Sequence, residues 1–240
     1  RLARDDHSQY SGITMSEEKI IEVADGVLIR EDGAVLIGSR PEGKPYAGYW
    51  EFPGGKLEDG ETVGDALKRE FREELDMTVN SSFPWFVTEH RYEHGHVRLH
   101  FYRSRDFRGT PVCREGQKTV WMHPGERPPG LMLPKDGAIM NRVALPDVWE
   151  DRVDTLTYST QAFRATVERD RRHRFVGARL ETMDDLYKAV ALDYDFGIVA
   201  ADRFDEFLVN GEALLPLYAE GARAADLDLW QARGAHGVKP

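Results

Sequence analysis

A helix with acidic residues on its inward side constrains this chain more than any other feature. The spacing of apolar residues predicts a helix over residues 62–75, and Thr62 begins a pattern that resembles a capping box. Glu70, Glu73 and Glu74 stand at i, i+3 and i+4, so they share one helix face. The same face carries apolar residues that are expected to pack on the protein body, namely Val63, Ala66 and Leu67.

Three carboxylates at this place are unfavourable unless something binds them. Like charges at helical spacing repel, and the helix dipole disfavours anions near its C-terminus. A divalent cation such as Mg²⁺ or Mn²⁺ removes the conflict, because hard cations prefer oxygen ligands. The alternative is a solvated acidic face paired with Lys68, Arg69 and Arg72. Arg69 is adjacent to Glu70 and is placed to orient or neutralise it.

Composition limits the class of protein. The chain has 240 residues, of which 41% are hydrophobic, and its apolar runs are too short to span a bilayer. The single cysteine, Cys113, excludes an intramolecular disulfide and favours a reduced, cytoplasmic setting. A net charge of −10 argues against direct binding to duplex DNA or to an anionic membrane. A small phosphate ligand is still compatible, because a divalent metal bridges carboxylates to phosphates.

The chain divides into three parts. Residues 1–17 are expected to form an N-terminal tail outside the fold, either an expression remnant or a poorly ordered extension. Residues 18–145 combine strand patterns with the acidic helix, and the Gly54–Gly55 turn before it lets backbone approach a ligand. Residues 146–240 alternate short strands with helices, which predicts βα units and a parallel sheet.

The acidic segment resembles the Nudix box, Gly-x5-Glu-x7-Arg-Glu-U-x-Glu-Glu-x-Gly-U, in which U is a bulky apolar residue. The matching residues are Gly55, Glu61, Arg69, Glu70, Phe71, Glu73, Glu74 and Met77. Asp76 replaces the late glycine, and aspartate tolerates the left-handed turn expected there. The resemblance covers about residues 18–145 and implies an α+β Nudix fold, with a mixed sheet sandwiched between helices.

The segment from Trp50 to Lys56 resembles the MutT-like branch of the family. The resemblance implies catalytic roles for Glu70, Glu73, Glu74 and Arg69, and metal ligation by Glu70, Glu73, Glu74, Gly54 and Glu115. Gly55 and Glu61 are structural positions of the box. The implied cofactor is Mg²⁺, for which Mn²⁺ can substitute. The implied substrate contacts are Arg40, Glu51, Phe52, Gly54, Gly55, Lys56, His94 and Asp136.

The base-reading positions are less typical of the branch. Asp136 stands where the branch places an asparagine, and an ionised aspartate accepts hydrogen bonds but donates none. His94 lies about where the branch stacks an aromatic ring on the base, and an exposed loop histidine is the alternative.

The implied activity is Mg²⁺-dependent hydrolysis of a nucleoside triphosphate to a monophosphate and pyrophosphate, with oxidised purine nucleotides such as 8-oxo-dGTP as substrates. One alternative is another nucleotide, such as CTP or a pyrimidine deoxynucleotide. A second is a nucleotide-binding regulatory protein with a vestigial site, which the full set of box acids disfavours. A homodimer is left open.

Residues 146–240 resemble the second half of a thiamine phosphate synthase barrel, at Phe175–Ala178, Leu215–Ala219 and Gly234–Val238. About 95 residues are too few for an eight-stranded barrel, which needs about 200. The expected structure is a small α/β segment resembling a partial (βα) barrel, truncated and without catalysis, packed on the first part or on a second subunit.

Overall fold

The computed structural model describes residues 19–93, 95–149, 156–159 and 175–240. The predicted tail and His94 therefore lie outside the described residues. In the described part of the chain, no helix is both long and apolar enough to cross a bilayer.

The first half contains two sheets and two helices. Its elements are β1 (Ile21–Leu28), β2 (Val35–Ser39), β3 (Trp50–Glu51), β4 (Gly54–Lys56), α1 (Val63–Leu75), β5 (Thr78–Tyr92), β6 (Gly95–Arg108), β7 (Thr119–Met122) and α2 (Asp136–Arg142). One sheet has the order β4-β1-β6-β5, in which β1 runs parallel to β6 and the other pairs are antiparallel. The second, β3-β2-β7, is antiparallel. The predicted mixed sheet is thus present.

Helix α1 lies on one face of the mixed sheet. Thr62 caps it by accepting a hydrogen bond from the Asp65 amide, as the sequence predicted. The buried face of the helix, which includes Leu67 and Phe71, packs against Ala24 and Leu28 of β1. Val27 and Ile29 point to the opposite face because side chains alternate along a strand. They belong to a core that also includes α2 residues and much of the second half.

The second half is built around one parallel sheet. Its elements are β8 (Leu156–Ser159), β9 (Phe175–Arg179), α3 (Met183–Ala191), β10 (Phe196–Ala200), β11 (Leu217–Glu220), α4 (Leu227–Ala232) and β12 (Gly237–Lys239), with 3₁₀ turns at 201–207 and 224–226. The strands follow the order β12-β11-β10-β9-β8, and all pairs are parallel. Sequential parallel strands agree with the predicted βα units. A relationship to thiamine phosphate synthase stays a prediction.

Buried polar side chains join the two halves. Trp85 on β5 donates from Nε1 to His236 Nδ1 at 2.9 Å, and His236 Nε2 lies 3.1 Å from the Leu145 carbonyl. Burial lowers the pKa of His236 to about 3, so its ring is neutral and Nε2 carries the proton. Arg103 on β6 donates to the His236 carbonyl at 2.6 Å and to Asp147 at 3.1 Å. The second half therefore covers the sheet face opposite α1.

A second contact between the halves involves His100 on β6. Its two ring nitrogens lie 2.7 Å from a Glu22 carboxylate oxygen and 2.8 Å from a Glu212 carboxylate oxygen. Beside it, the Val87 amide donates to the Ala213 carbonyl at 2.8 Å. The segment before β11 is thus tied to the edge of the first half.

Several sequence-based boundaries were wrong. The residue pattern predicts short strands over Trp85–Glu89 and Val97–Ser104, whereas both stretches are parts of the much longer β5 and β6. It also predicts a helix over 205–210, where the structure has a 3₁₀ turn over 201–207, and a helix from about Ala138, where α2 begins at Asp136. Strand β7 was predicted with its observed limits.

Candidate active site

Arg69 fixes the box residues relative to one another. Its guanidinium donates to both carboxylate oxygens of Glu61, at 2.9 and 2.8 Å, and to Glu70 Oε1 at 2.7 Å. It also donates to the Lys56 carbonyl on β4 at 3.0 Å. A planar fork of donors suits this task, because it binds several oxygens at fixed angles. Arg69 therefore orients Glu70 and joins the helix to β4.

Two glycines allow this close packing. A side chain at Gly55 would collide with the Glu70 carboxylate, and one at Gly54 would collide with the Ala24 carbonyl of the neighbouring strand. Glycine is required at both places because no other residue leaves this space free. The pair thus brings the β4 backbone against the acidic face of α1.

The loop after β6 carries Glu115 to the C-terminal end of α1. The last carbonyls of a helix lack partners within the helix. Here the Val112 backbone amide donates to the Leu75 carbonyl at 2.8 Å, and the Arg114 backbone amide donates to the Glu74 carbonyl at 3.0 Å. The Gln117 side chain also donates to the Glu74 carbonyl, at 3.2 Å. It orders the loop by accepting a hydrogen bond from the Glu115 amide. Asp76 ends the helix with φ 54°, which confirms that aspartate accepts the left-handed turn.

The acidic residues face a cavity of about 650 Å³. Carboxyl groups outnumber cationic side chains among its described lining residues. The acids are Asp25, Glu51, Glu70, Glu73, Glu74, Glu115 and Asp136, and the cations are Arg40, Lys44 and Lys56.

Glu74 shows the effect of this excess. Burial and the nearby Glu115 raise the pKa of Glu74 to about 7, against an opposing effect of Lys44. Lys44 Nζ lies 2.7 Å from Glu115 Oε2 and 3.6 Å from Glu74 Oε1. Glu73 is largely exposed and lies 3.6 Å from Arg69 Nη1. The four glutamates therefore form one group in the cavity lining, and each lies close to a basic side chain.

Two buried aspartates, Asp25 and Asp136, form a second group of lining residues. Asp136 accepts the Phe52 amide at 3.1 Å through Oδ2, and burial, together with Glu51, raises its pKa well above the usual range. Burial and the neighbouring Asp136 likewise raise the pKa of Asp25. From the sequence, Asp136 is expected to be an ionised acceptor. A carboxyl with a raised pKa also exists in the neutral form, which donates one hydrogen bond.

Not every predicted substrate residue faces the cavity. Phe52, which lies between β3 and β4, is buried against Phe101 in the core and serves the site through its backbone amide. Arg40 lines the cavity but is ion-paired with Glu51 and donates to the Pro45 carbonyl. Lys56, Gly54 and Gly55 line the cavity as predicted.

The lining residues that sequence reasoning missed include two charged side chains and two phenol rings: Asp25, Lys44, Tyr46 and Tyr92. Tyr46 and Tyr92 pack edge to face at 5.6 Å, and burial raises the pKa of Tyr92. An aspartate inside the apolar run of β1 was the one available signal, because an acid is rare in a buried strand.

The donor set has the chemistry that a divalent cation requires, since carboxylate oxygens from α1 and from the 112–117 loop share one cavity end. In the part of the chain that the structure describes, however, no three acidic, histidine or cysteine side chains converge closely enough to hold a metal ion as they stand. Arg69 and Lys44 pair with these carboxylates instead. Binding therefore requires side chains to move, and Lys44 in particular.

Comparisons with known proteins identify the class. A family model for the NUDIX domain matches residues 25–136. The chain is 32% identical over 127 residues to the 8-oxo-dGTP diphosphatase of Haemophilus influenzae, which covers 53% of this chain and 93% of that protein. It is 38% identical over 120 residues to the CTP pyrophosphohydrolase of Escherichia coli, covering 49% and 87%. The solution structure of the E. coli ORF135 protein is 33% identical, with a TM-score of 0.45 and coverage of 51% and 87%.

The chain therefore belongs to the Nudix family. It is a Nudix hydrolase, and divalent metal use is general in that family. The match ends near the boundary between the halves, so the second half lies outside the matched NUDIX domain.

Proposed function

We propose that the protein hydrolyses a nucleoside triphosphate to a nucleoside monophosphate and pyrophosphate, with Mg²⁺ as cofactor. The observation that carries the proposal is the cavity, which is lined by a group of glutamates and by a second group of buried aspartates with an aromatic ring beside them. The triphosphate of a nucleotide requires the first environment, and its nucleobase requires the second. Two relatives, named 8-oxo-dGTP diphosphatase and CTP pyrophosphohydrolase, support this class of reaction.

The residues divide the work between them. Glu70, Glu73, Glu74 and Glu115 would hold the metal, with the Gly54 backbone as a further candidate ligand. A bound Mg²⁺ neutralises phosphate charge and lowers the pKa of a coordinated water. Arg69 keeps Glu70 aimed at the cavity, and Glu70 is our candidate for the general base.

The part of the cavity lined by Asp25, Asp136 and Tyr92, called the base end below, favours a nucleobase that presents N–H groups. Asp136 and Asp25 offer carboxyl oxygens, and Tyr92 supplies an aromatic edge beside them. The Watson–Crick edge of guanine carries two adjacent N–H donors, and 8-oxoguanine has a further one at N7. We therefore propose oxidised guanine nucleotides as the preferred substrates. Cytosine, whose amino group is also a donor, is the second candidate, supported by the similarity to CTP pyrophosphohydrolase.

The remaining assignments concern the whole chain. We propose residues 18–145 as the catalytic domain and 146–240 as a non-catalytic partner domain, because the cavity lining comes from the first. A reduced, cytoplasmic setting is in keeping with a single cysteine.

The test is pyrophosphate release with Mg²⁺ over a panel of 8-oxo-dGTP, dGTP, dCTP, CTP, dATP and dTTP. We expect the highest kcat/KM for 8-oxo-dGTP, pyrophosphate as product, and loss of turnover in excess chelator. Release of orthophosphate, or full turnover in chelator, contradicts the proposed reaction. Preference for dTTP contradicts the assignment of the base end.

A further inference from the structure

The loop between β2 and β3 carries a lysine into the acidic end of the cavity. The loop is closed at its base, where the Arg40 amide donates to the Tyr49 carbonyl at 2.8 Å and the Gly48 amide donates to the Arg40 carbonyl at 2.9 Å. From this loop, Lys44 reaches Glu115 and Glu74, which belong to two elements that are distant in sequence. The loop also contacts the base end, because Tyr46 packs against Tyr92.

The contacts of Lys44 differ from those in an ordinary surface ion pair. Its two partners are glutamates from different elements that face the same cavity, and Glu74 is only 21% exposed. Glu115 stabilises the charged lysine through a hydrogen bond, in spite of partial burial. The ammonium thus neutralises two acids that would otherwise repel each other.

We propose that Lys44 is a displaceable internal cation, which pairs with Glu74 and Glu115 in the metal-free protein and leaves them when a divalent metal binds. A lysine and a divalent ion compete for the same oxygens, because neither tolerates the other at contact distance. The inference rests on the proposed function for the identity of the metal site. It adds a residue that the Nudix box does not contain.

Displacement has a consequence for the nucleotide. Once released, the ammonium stays beside the metal end of the cavity, because the loop is closed at Arg40, and a triphosphate is the nearest anion that it meets there. Lys44 then acts as a positioning residue that exchanges two carboxylates for phosphate oxygens. Metal binding and phosphate binding are coupled through this exchange.

The test measures Mn²⁺ affinity without nucleotide, by calorimetry and by electron paramagnetic resonance of free Mn²⁺. The measurements are made at pH 8.5, above the pKa of about 7 that Glu74 has in the wild type. We expect Lys44→Gln to bind Mn²⁺ about threefold to tenfold more tightly than the wild type, because a partly exposed competing cation is gone. Lys44→Arg keeps the charge and should bind like the wild type.

The matched control is Lys68→Gln, which removes the same charge from an exposed position on α1. Unchanged or weaker Mn²⁺ binding in Lys44→Gln, relative to Lys68→Gln, overturns the proposal. Tighter metal binding combined with a raised KM for the nucleotide supports both parts of it.

The two proposals fail in different ways. Tighter Mn²⁺ binding by Lys44→Gln in a protein that hydrolyses none of the nucleotides supports the role of Lys44 and contradicts the proposed activity. Normal hydrolysis with unchanged Mn²⁺ affinity contradicts the role of Lys44 alone. A wild type that binds no Mn²⁺ at millimolar concentration overturns both.

Discussion

The two halves of the molecule use charged residues in opposite ways. In the first half, carboxyl groups outnumber cations around a cavity, and burial together with these neighbouring carboxylates raises the pKa values of Glu74 and Asp136. In the second half, the carboxyl ends of the parallel strands carry Arg179, Glu220 and Lys239. Arg179 and Lys239 both pair with Glu220, with Nη2 and Nζ each 2.7 Å from Oε1. Strand ends of this type often carry ligand sites, but here the charges satisfy one another.

Two buried aspartates, one in each half, show the same difference. Asp136 and Asp195 are 4% and 6% exposed, and each accepts one backbone amide, at 3.1 and 2.9 Å. Asp136 also faces the cavity, whereas Asp195 lies 3.7 Å from Arg142 Nε. Burial of an acid therefore does not identify a binding site by itself. The acid must also face open space.

The largest expected effect comes from Glu73→Gln compared with Glu220→Gln. We expect Glu73→Gln to lower kcat roughly 100-fold or more and to leave the free energy of unfolding unchanged, because Glu73 is 63% exposed. Glu220→Gln should keep full activity and lose about 1–2 kcal/mol of stability, because two cations lose their shared partner. Steady-state kinetics measure kcat of both variants, and urea unfolding measures their free energies of unfolding. Equal losses of activity in the two would show that the halves are not functionally distinct.

An intermediate effect is expected from Asp136→Asn compared with Asp195→Asn. In Asp136→Asn, the amide side chain would keep the hydrogen bond to Phe52 but could not change its protonation state. We therefore expect the ratio of kcat/KM between 8-oxo-dGTP and dCTP to change about tenfold. Asp195→Asn should alter stability and leave that ratio alone. If the ratio stays within about twofold in Asp136→Asn, this aspartate does not read the base.

The smallest effect concerns the contact that joins the halves. Desolvation lowers the pKa of His100, but the hydrogen bonds that its ring donates to Glu212 and Glu22 outweigh this effect and raise the pKa above the ordinary value of 6.5. A raised pKa in the folded state stabilises the protein below about pH 6.5, and this contribution is lost as the pH rises through the folded value. Between pH 6 and 9 the wild type should therefore lose roughly 1 kcal/mol more than His100→Gln. Parallel pH profiles of Tm for the two proteins would contradict this.

The sequence was most informative where local rules decide the structure. The limits of α1 follow from the Thr62 cap and from Asp76, both of which are local features. The length of strand β5 was underestimated from the sequence, because Pro84 and polar residues interrupt the alternation of apolar and polar side chains. The pairing of β5 with β6 also shifts register three times. Only the long-range ladder with β6 makes this stretch a strand.

The candidate site, like the fold, was predictable only where local rules decide the geometry. The box glutamates and Arg69 lie close together because one helix and one turn determine their positions. The approach of Lys44 to Glu115 joins positions 71 residues apart, and no spacing rule encodes it. Asp25 was missed because its role depends on the cavity, which exists only after β1, α2 and β3 assemble.

The order of the strands in each sheet also determines which parts of the molecule can fold first. Strands β8 to β12 each pair with a neighbour in the chain, so the second sheet can grow one strand at a time. Strand β1 pairs Ile21 with Val97, and it lacks its parallel neighbour until β6 has been synthesised. Contacts between distant positions close slowly, because the entropy of the intervening chain must be lost first. The bond from Trp85 to His236 spans 151 residues, so docking of the halves is expected as a late event on the folding pathway.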